Sequence, residues 1–293
     1  MAQGIGLHAA SKEAVVEDVF ERERRRRMWY CLYILDRLVA LQLGGAVLIR
    51  DSDFSVALPT AVNGDPPEAA YLCEMSRLSK VIGYVIDHLY RPAQSVIRLE
   101  QLLETIAALD AELITWRDSL PPQLRFDRAH PFESNIVFKR QRNFLGIKFH
   151  HLRTLIHRPC LCLETLHHDE LDEFAQNRGV GWDHTASQLA EATCIMEARE
   201  TIQMLDGVMN KRSLLWEFPW WQMISCLMCA QSVIMITRIV YPQYVDSAGL
   251  QADMETCYNV LEALRPHSAA ADRCLKIIDV MRKAQLSDQG MFN

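Results

Sequence analysis

The chain has 293 residues, 49% of them hydrophobic and 23% charged, with a formal net charge of −6. That is enough apolar material for a substantial core, and the acidic balance argues against non-specific nucleic-acid binding by the chain as a whole. Nine cysteines, an odd number scattered through apolar segments, fit buried thiols in a reducing compartment, and the first residues lack the basic and apolar stretches of a secretory signal.

Glycine and proline are sparse, which favours long helices over turn-rich β architecture. The first element is the run Glu21 to Arg37. It places Arg22, Arg24, Arg25, Arg26 and Arg27 beside an aromatic and aliphatic stripe that includes Trp29, Tyr30, Leu32, Tyr33 and Leu35. Guanidinium groups stay charged, so arginines beside buried rings need carboxylates, phosphates or water. The neighbouring rings imply a packed segment, so structural pairing with Asp36, Asp51 and Asp53 is expected over a nuclear-import or phosphate-binding patch. A second cluster follows: Gly44-Gly45, then Ile49-Arg50-Asp51-Ser52-Asp53-Phe54, then Leu58-Pro59.

Past Pro66-Pro67, apolar residues recur at Tyr71, Met75, Leu78, Ile82, Val85 and Leu89, one stripe of a helix that ends near Pro92. The next stripe runs through Leu99, Leu102, Leu103, Ile106, Leu109, Leu113 and Trp116 and stops at Pro121-Pro122. A third extends from about Asn135 to His157 and ends before Pro159. The residue before a proline is pushed out of the α region, which gives these ends a steric cause. His167 to His184 reads as a polar loop; helical spacing resumes from Leu189 to Met209.

Phe218 to Thr237 carries no charge over twenty residues, long enough to cross a bilayer, yet Gln222, Ser225, Gln231 and Ser232 fit a core helix better. Two amphipathic helices, Leu250–Leu264 and Ala269–Leu286, complete the chain. With no sustained period-two alternation, the expected fold is all-α, an irregular multi-helix domain over residues 1–293.

The front of the chain resembles the central regulatory region of fungal zinc-cluster transcription factors, the fungal-specific transcription factor domain. Glu23, Arg25, Arg26, Arg27, Trp29, Tyr30, Leu32, Tyr33, Leu35, Asp36 and Arg37 fill the first half of its pattern. Gly45, Ile49, Asp51, Asp53, Leu58 and Pro59 fill the second. Gly45-Ala46 stands where that family usually has Gly-Arg-Pro, so a differently shaped turn is expected. Ile5-Gly6-Leu7-His8 is similar to the segment the family places before its arginine run. Weaker likenesses continue through Leu113-x-x-Trp116 with Leu120-Pro121-Pro122, and His151 to Pro159.

The resemblance implies a nuclear protein that modulates RNA polymerase II transcription, touching DNA only through a separate zinc module. Coactivators, a small-molecule effector and a second copy as homodimer partner are the other partners it implies; no membrane is among them. No cofactor is expected in this chain, since the zinc of such proteins belongs to that module. Trp29, Tyr33, Trp116, Trp220 and Trp221 are the candidate effector-pocket residues, with core filling as the plainer job for each. A free-standing interaction or scaffold domain of the same descent is the alternative. Met1 stands almost directly before the family's first segment. That suggests a truncated product, an incomplete gene model or a diverged relative, and hence exposed apolar surface near Trp29 and Tyr33.

Catalytic and metal signatures do not assemble. Cys226 and Cys229 form the one Cys-x-x-Cys pair, inside an apolar helix without two further ligands in sequence reach, and Cys160 and Cys162 read the same way. His150, His151 and His157 lack the spacing of a zinc hydrolase, and His167-His168-Asp169-Glu170 fall in the polar loop. A helical enzyme built on these histidines is the third reading. No residue is assigned a catalytic or metal-binding role.

Overall fold

A computed structural model describes residues 4, 6–9, 18–60, 69–91, 99–130, 135–162, 184–207, 220–241 and 246–290. At Leu99, His184, Trp220, Trp221 and 283–290 it describes the backbone alone. Asp18 starts the first helix: its carboxylate accepts the Phe20 N–H at 3.0 Å, satisfying one of the donors that a helix N-terminus leaves over. The helix, α1, is Val19–Leu43. Gly44 ends it at φ 65°, a left-handed conformation that costs glycine nothing.

Seven more helices follow among the described residues: α2 (Ala70–Leu89), α3 (Leu99–Asp118), α4 (Ile136–His157), α5 (His184–Asp206), α6 (Trp220–Val240), α7 (Ser247–Leu264) and α8 (Ala269–Gly290). Short 3-10 turns at Asp51–Asp53, Pro122–Leu124, Arg158–Cys160 and Arg265–His267 join or extend them, and no strand occurs among the described residues. The all-α expectation holds. Most of residues 167–184 lie outside the described residues; His184 itself opens α5.

The single body expected over 1–293 divides into two compact units, Met1–Leu145 and Gly146–Asn293, with the boundary inside α4. In the first unit α2 packs against both α1 and α3. Its stripe residues Met75, Leu78, Ile82 and Val85 are buried, as are Ile106, Leu109, Leu113 and Trp116 of α3. Trp29, Tyr30 and Tyr33 of α1 form a separate aromatic core with Leu7 and Val56.

The second unit is built on α6, which packs against α5 and α7, while α7 also meets α8. Although Gln222–Val240 is long and apolar enough to cross a membrane, Met223, Cys226, Leu227, Ala230, Val233 and Ile234 lie in this unit's core. Arg199 of α5 clasps α7, donating to Asp246 and Asp253 at 2.5 Å each.

Candidate functional site

The second half of α1 and the segment after it form a knot around one arginine. Arg37 is 2% exposed. It donates to the Ile49 carbonyl at 2.6 Å, to Asp36 at 2.7 Å and to Asp51 at 2.8 Å, and its guanidinium lies 4.3 Å from the Tyr33 ring centroid. Asp36 in turn accepts the backbone N–H groups of Leu48 and Ile49. The Tyr33 hydroxyl donates to the same Asp51 oxygen at 2.8 Å, and burial pushes that hydroxyl's pKa up. Two carboxylates, one carbonyl and one ring thus compensate a buried cation, as a low-dielectric site requires.

Gly83 of α2 makes room for this arginine. An ideal Cβ on Gly83 would sit 2.7 Å from Arg37 Nε, so α1 and α2 approach this closely only with a bare α-carbon there. Around the knot, Trp29 packs against Phe54 at 5.5 Å and His8 at 6.0 Å, and the Tyr30 hydroxyl donates to the Val56 carbonyl at 3.1 Å.

The arginine run finds acids within α1 itself. Arg24 pairs with Glu21 at 2.7 Å, while Arg26 and Arg27 reach Glu23 at 3.6 and 3.1 Å. Glu23 is buried and also accepts the Thr60 N–H at 2.9 Å, which ties the front of α1 to the chain just past Pro59. The expected pairing of the run with Asp36, Asp51 and Asp53 is not what the structure shows: Asp36 and Asp51 serve Arg37, and Asp53 accepts from Ser52. Arg25 also has an interaction partner. At the turn, the left-handed residue is Gly44; Gly45 has an ordinary φ.

Trp29 and Tyr33 themselves are 1% exposed, while Met28, Leu32, Leu35, Val39 and Leu43 leave an apolar stripe on the outer face of the same helix.

Between α1, α2, α3 and the segment after α1 lies a cavity of about 460 Å³. Tyr30, Tyr33, Phe54, Leu58, Val81 and Trp116 supply its apolar lining. Asp51, Arg77, Lys80 and Glu112 contribute charge, and Ser76, Thr115 and Ser119 contribute hydroxyls. Tyr33 and Trp116 therefore line one space, and Trp29 packs in the aromatic core instead. The indole N–H of Trp116 donates to the Glu74 carbonyl at 3.2 Å, which fixes the ring across from α2. Trp220 and Trp221 belong to the other unit, and their side chains lie outside the described residues. Lys80, Glu112, Thr115 and Ser119 carry no motif; only the side-by-side packing of α2 and α3 makes them neighbours.

Two described histidines of the second unit, His150 and His151, sit in packed surroundings on α4. His150 stands 2.6 Å from Glu197, which also takes Arg153 at 2.6 Å. Burial, helped by Lys148 and Arg158, depresses the His151 pKa to about 3, so it stays neutral. The thiols of Cys160, Cys162 and Cys229 are each pushed up to about 11 by burial, which makes them poor nucleophiles. No group of three His, Cys, Asp or Glu side chains among the described residues is placed to hold a metal ion. His167, His168, Asp169 and Glu170 lie outside the described residues.

Against known proteins, residues 1–118 match the model of the fungal specific transcription factor domain. The first part of this chain is thus similar to that domain over about two-fifths of its length. The matched stretch holds the arginine run, the Arg37 knot and the three helices that bear the cavity. Transcription factor FBD3 of Gibberella moniliformis is 26% identical over 273 residues, 84% of this chain and 34% of the relative. Transcriptional activator protein acu-15 of Neurospora crassa is 25% identical over 175 residues, covering 55% of this chain and 18% of the relative. An uncharacterized transcriptional regulatory protein of Schizosaccharomyces pombe is 31% identical over 122 residues, 40% of this chain and 15% of the relative. The chain thus spans about a third or less of the length of these relatives. No solved structure matches it.

Proposed function

We propose that this chain is the regulatory part of a fungal zinc-cluster transcription factor, acting in the nucleus on RNA polymerase II transcription and performing no catalysis. The observation that carries the reading is the domain match over residues 1–118, supported by relatives named as transcriptional regulators and activators along most of the chain. DNA contact is assigned to a zinc module distinct from the helices described here, and no cofactor is assigned to these helices. The cavity of the first unit supports an effector role: its size falls within the roughly 300–1,000 Å³ of small-molecule sites. Occupancy would favour one arrangement of α1, α2 and α3, and coactivator or second-copy contacts would read that bias.

Fusing residues 1–293 to a heterologous DNA-binding domain in a fungal host tests the proposal. The fusion should change reporter output relative to the DNA-binding domain alone, and Thr115→Trp, which fills the cavity, should shift that change. Output indistinguishable from the DNA-binding domain alone would overturn the regulatory reading. An effect that Thr115→Trp leaves untouched would remove the effector role from the cavity.

A further inference from the structure

We propose that the first unit's cavity takes a small zwitterion with an apolar body, the chemistry of a free amino acid with an aromatic or branched side chain. This rests on the effector reading above and adds the class of ligand.

The charges decide it. Of the four charged residues in the lining, Asp51 already has an ion-pair partner in Arg37 at 2.8 Å, which it shares with Asp36, and Arg77 has one in Glu74 at 2.8 Å. That leaves Lys80 on α2 and Glu112 on α3, both exposed, and neither makes an ion pair among the described residues. Among the described residues the ammonium of Lys80 meets the Tyr84 ring, at 5.6 Å. One unmatched cation on one helix and one unmatched anion on the next suit a ligand that carries both signs. A ligand of single charge would satisfy one of them and meet repulsion from the other.

The hydroxyls point the same way. Thr115 donates its proton to the Ala111 carbonyl at 2.7 Å, Ser119 to Trp116 at 2.8 Å and Ser76 to Leu72 at 2.7 Å. With their protons spent inside their own helices, these oxygens offer lone pairs only. Glu112 and Thr115 share one face of α3 and Ser119 follows just past its end, so that side is a row of acceptors ending in a carboxylate. Such a row receives an ammonium group. Lys80, with donors and no acceptor, receives a carboxylate. Between them the Tyr33, Phe54 and Trp116 rings accommodate an apolar side chain.

Calorimetric titration of the whole chain with L-phenylalanine, 2-phenylethylamine and 3-phenylpropionate tests this. The three probes share a ring and differ in which charges they carry. L-phenylalanine should bind about tenfold or more tighter than either singly charged probe. Lys80→Met should erase its advantage over the amine, and Glu112→Gln its advantage over the acid. Both side chains are exposed, so these variants should keep the wild-type melting temperature. If the amine or the acid binds the wild type as well as L-phenylalanine, the zwitterion is wrong while an effector cavity stands. If none of the three binds and Thr115→Trp also leaves reporter output unchanged, both readings fall.

Discussion

A glycine inside a helix normally weakens it by about 1 kcal/mol against alanine, so Gly83 in the middle of α2 needs a reason. Arg37 supplies it. The side chain whose Nε would meet a Gly83 Cβ at 2.7 Å cannot swing away, because its far end is held by Ile49, Asp36 and Asp51. Gly83→Ala should therefore destabilise the protein by about 1–3 kcal/mol despite the better helix former, read from urea midpoints. In an Arg37→Leu background the same change should lose most of its penalty. A penalty of equal size in both backgrounds would show that Arg37 is not what Gly83 makes room for.

Glu74 makes a second test at this scale. Burial raises its carboxyl above the ordinary 4.5, with Arg77 opposing, and one of its oxygens is buried without a hydrogen bond. A raised carboxyl binds more protons folded than unfolded, so its contribution to stability falls as pH climbs past the unfolded value. Glu74→Gln should thus gain on the wild type between acid and neutral pH, and the gain should vanish below about 4.5. A wild-type advantage that grows with pH would mean the Arg77 pair outweighs burial.

At the scale of elements, α1 joins two kinds of contact that its sequence shows unequally. Glu23 is buried and holds Arg26, Arg27 and the Thr60 N–H together, whereas Arg26 itself is half-buried and meets Glu23 at the longer distance of 3.6 Å. Glu23→Ala should lower the melting temperature clearly, by the equivalent of about 2–4 kcal/mol, since it strands donors around a buried site. Arg26→Ala should lower it by about 1 kcal/mol or less. Equal effects would remove Glu23 from the centre of the network.

The helices themselves were legible. Apolar spacing and the prolines at 92, 121 and 159 marked α2, α3 and α4 to within a few residues, because periodicity and proline sterics are local. Asp36, Asp51 and Asp53 look like the natural acids for the arginine run, yet helix geometry puts Glu21 and Glu23 one turn away on the same face. The burial of Arg37 has a local sign in the sequence: it stands four residues after Tyr33, on the buried side of the aromatic stripe. Tyr33 and Trp116 stood out as large rings. Lys80 and Glu112 did not, because an exposed charge acquires meaning only when two helices bring it to one space.

At the scale of the whole molecule, a chain with a net charge of −6 carries a dense arginine run, and the two facts pull opposite ways for nucleic acid. Duplex DNA binds such a run by exchanging condensed counterions for unpaired cations, and each phosphate neutralised steepens the salt dependence. In α1 the cations are not idle. Glu21 and Glu23 take Arg24, Arg26 and Arg27, and Arg27 also donates to the Thr60 carbonyl at 3.1 Å. Freeing them for phosphate would break the tie between α1 and Thr60, and the remaining acidic surface would repel the duplex. The 293-residue chain alone should therefore leave random duplex DNA unretarded in gel shifts at micromolar protein and about 0.15 M salt. Glu23→Gln, which weakens the hold on Arg26 and Arg27, should bring in weak, steeply salt-dependent binding. Retardation by the wild type with that same salt slope would make the run a phosphate surface and separate it from the packing of α1.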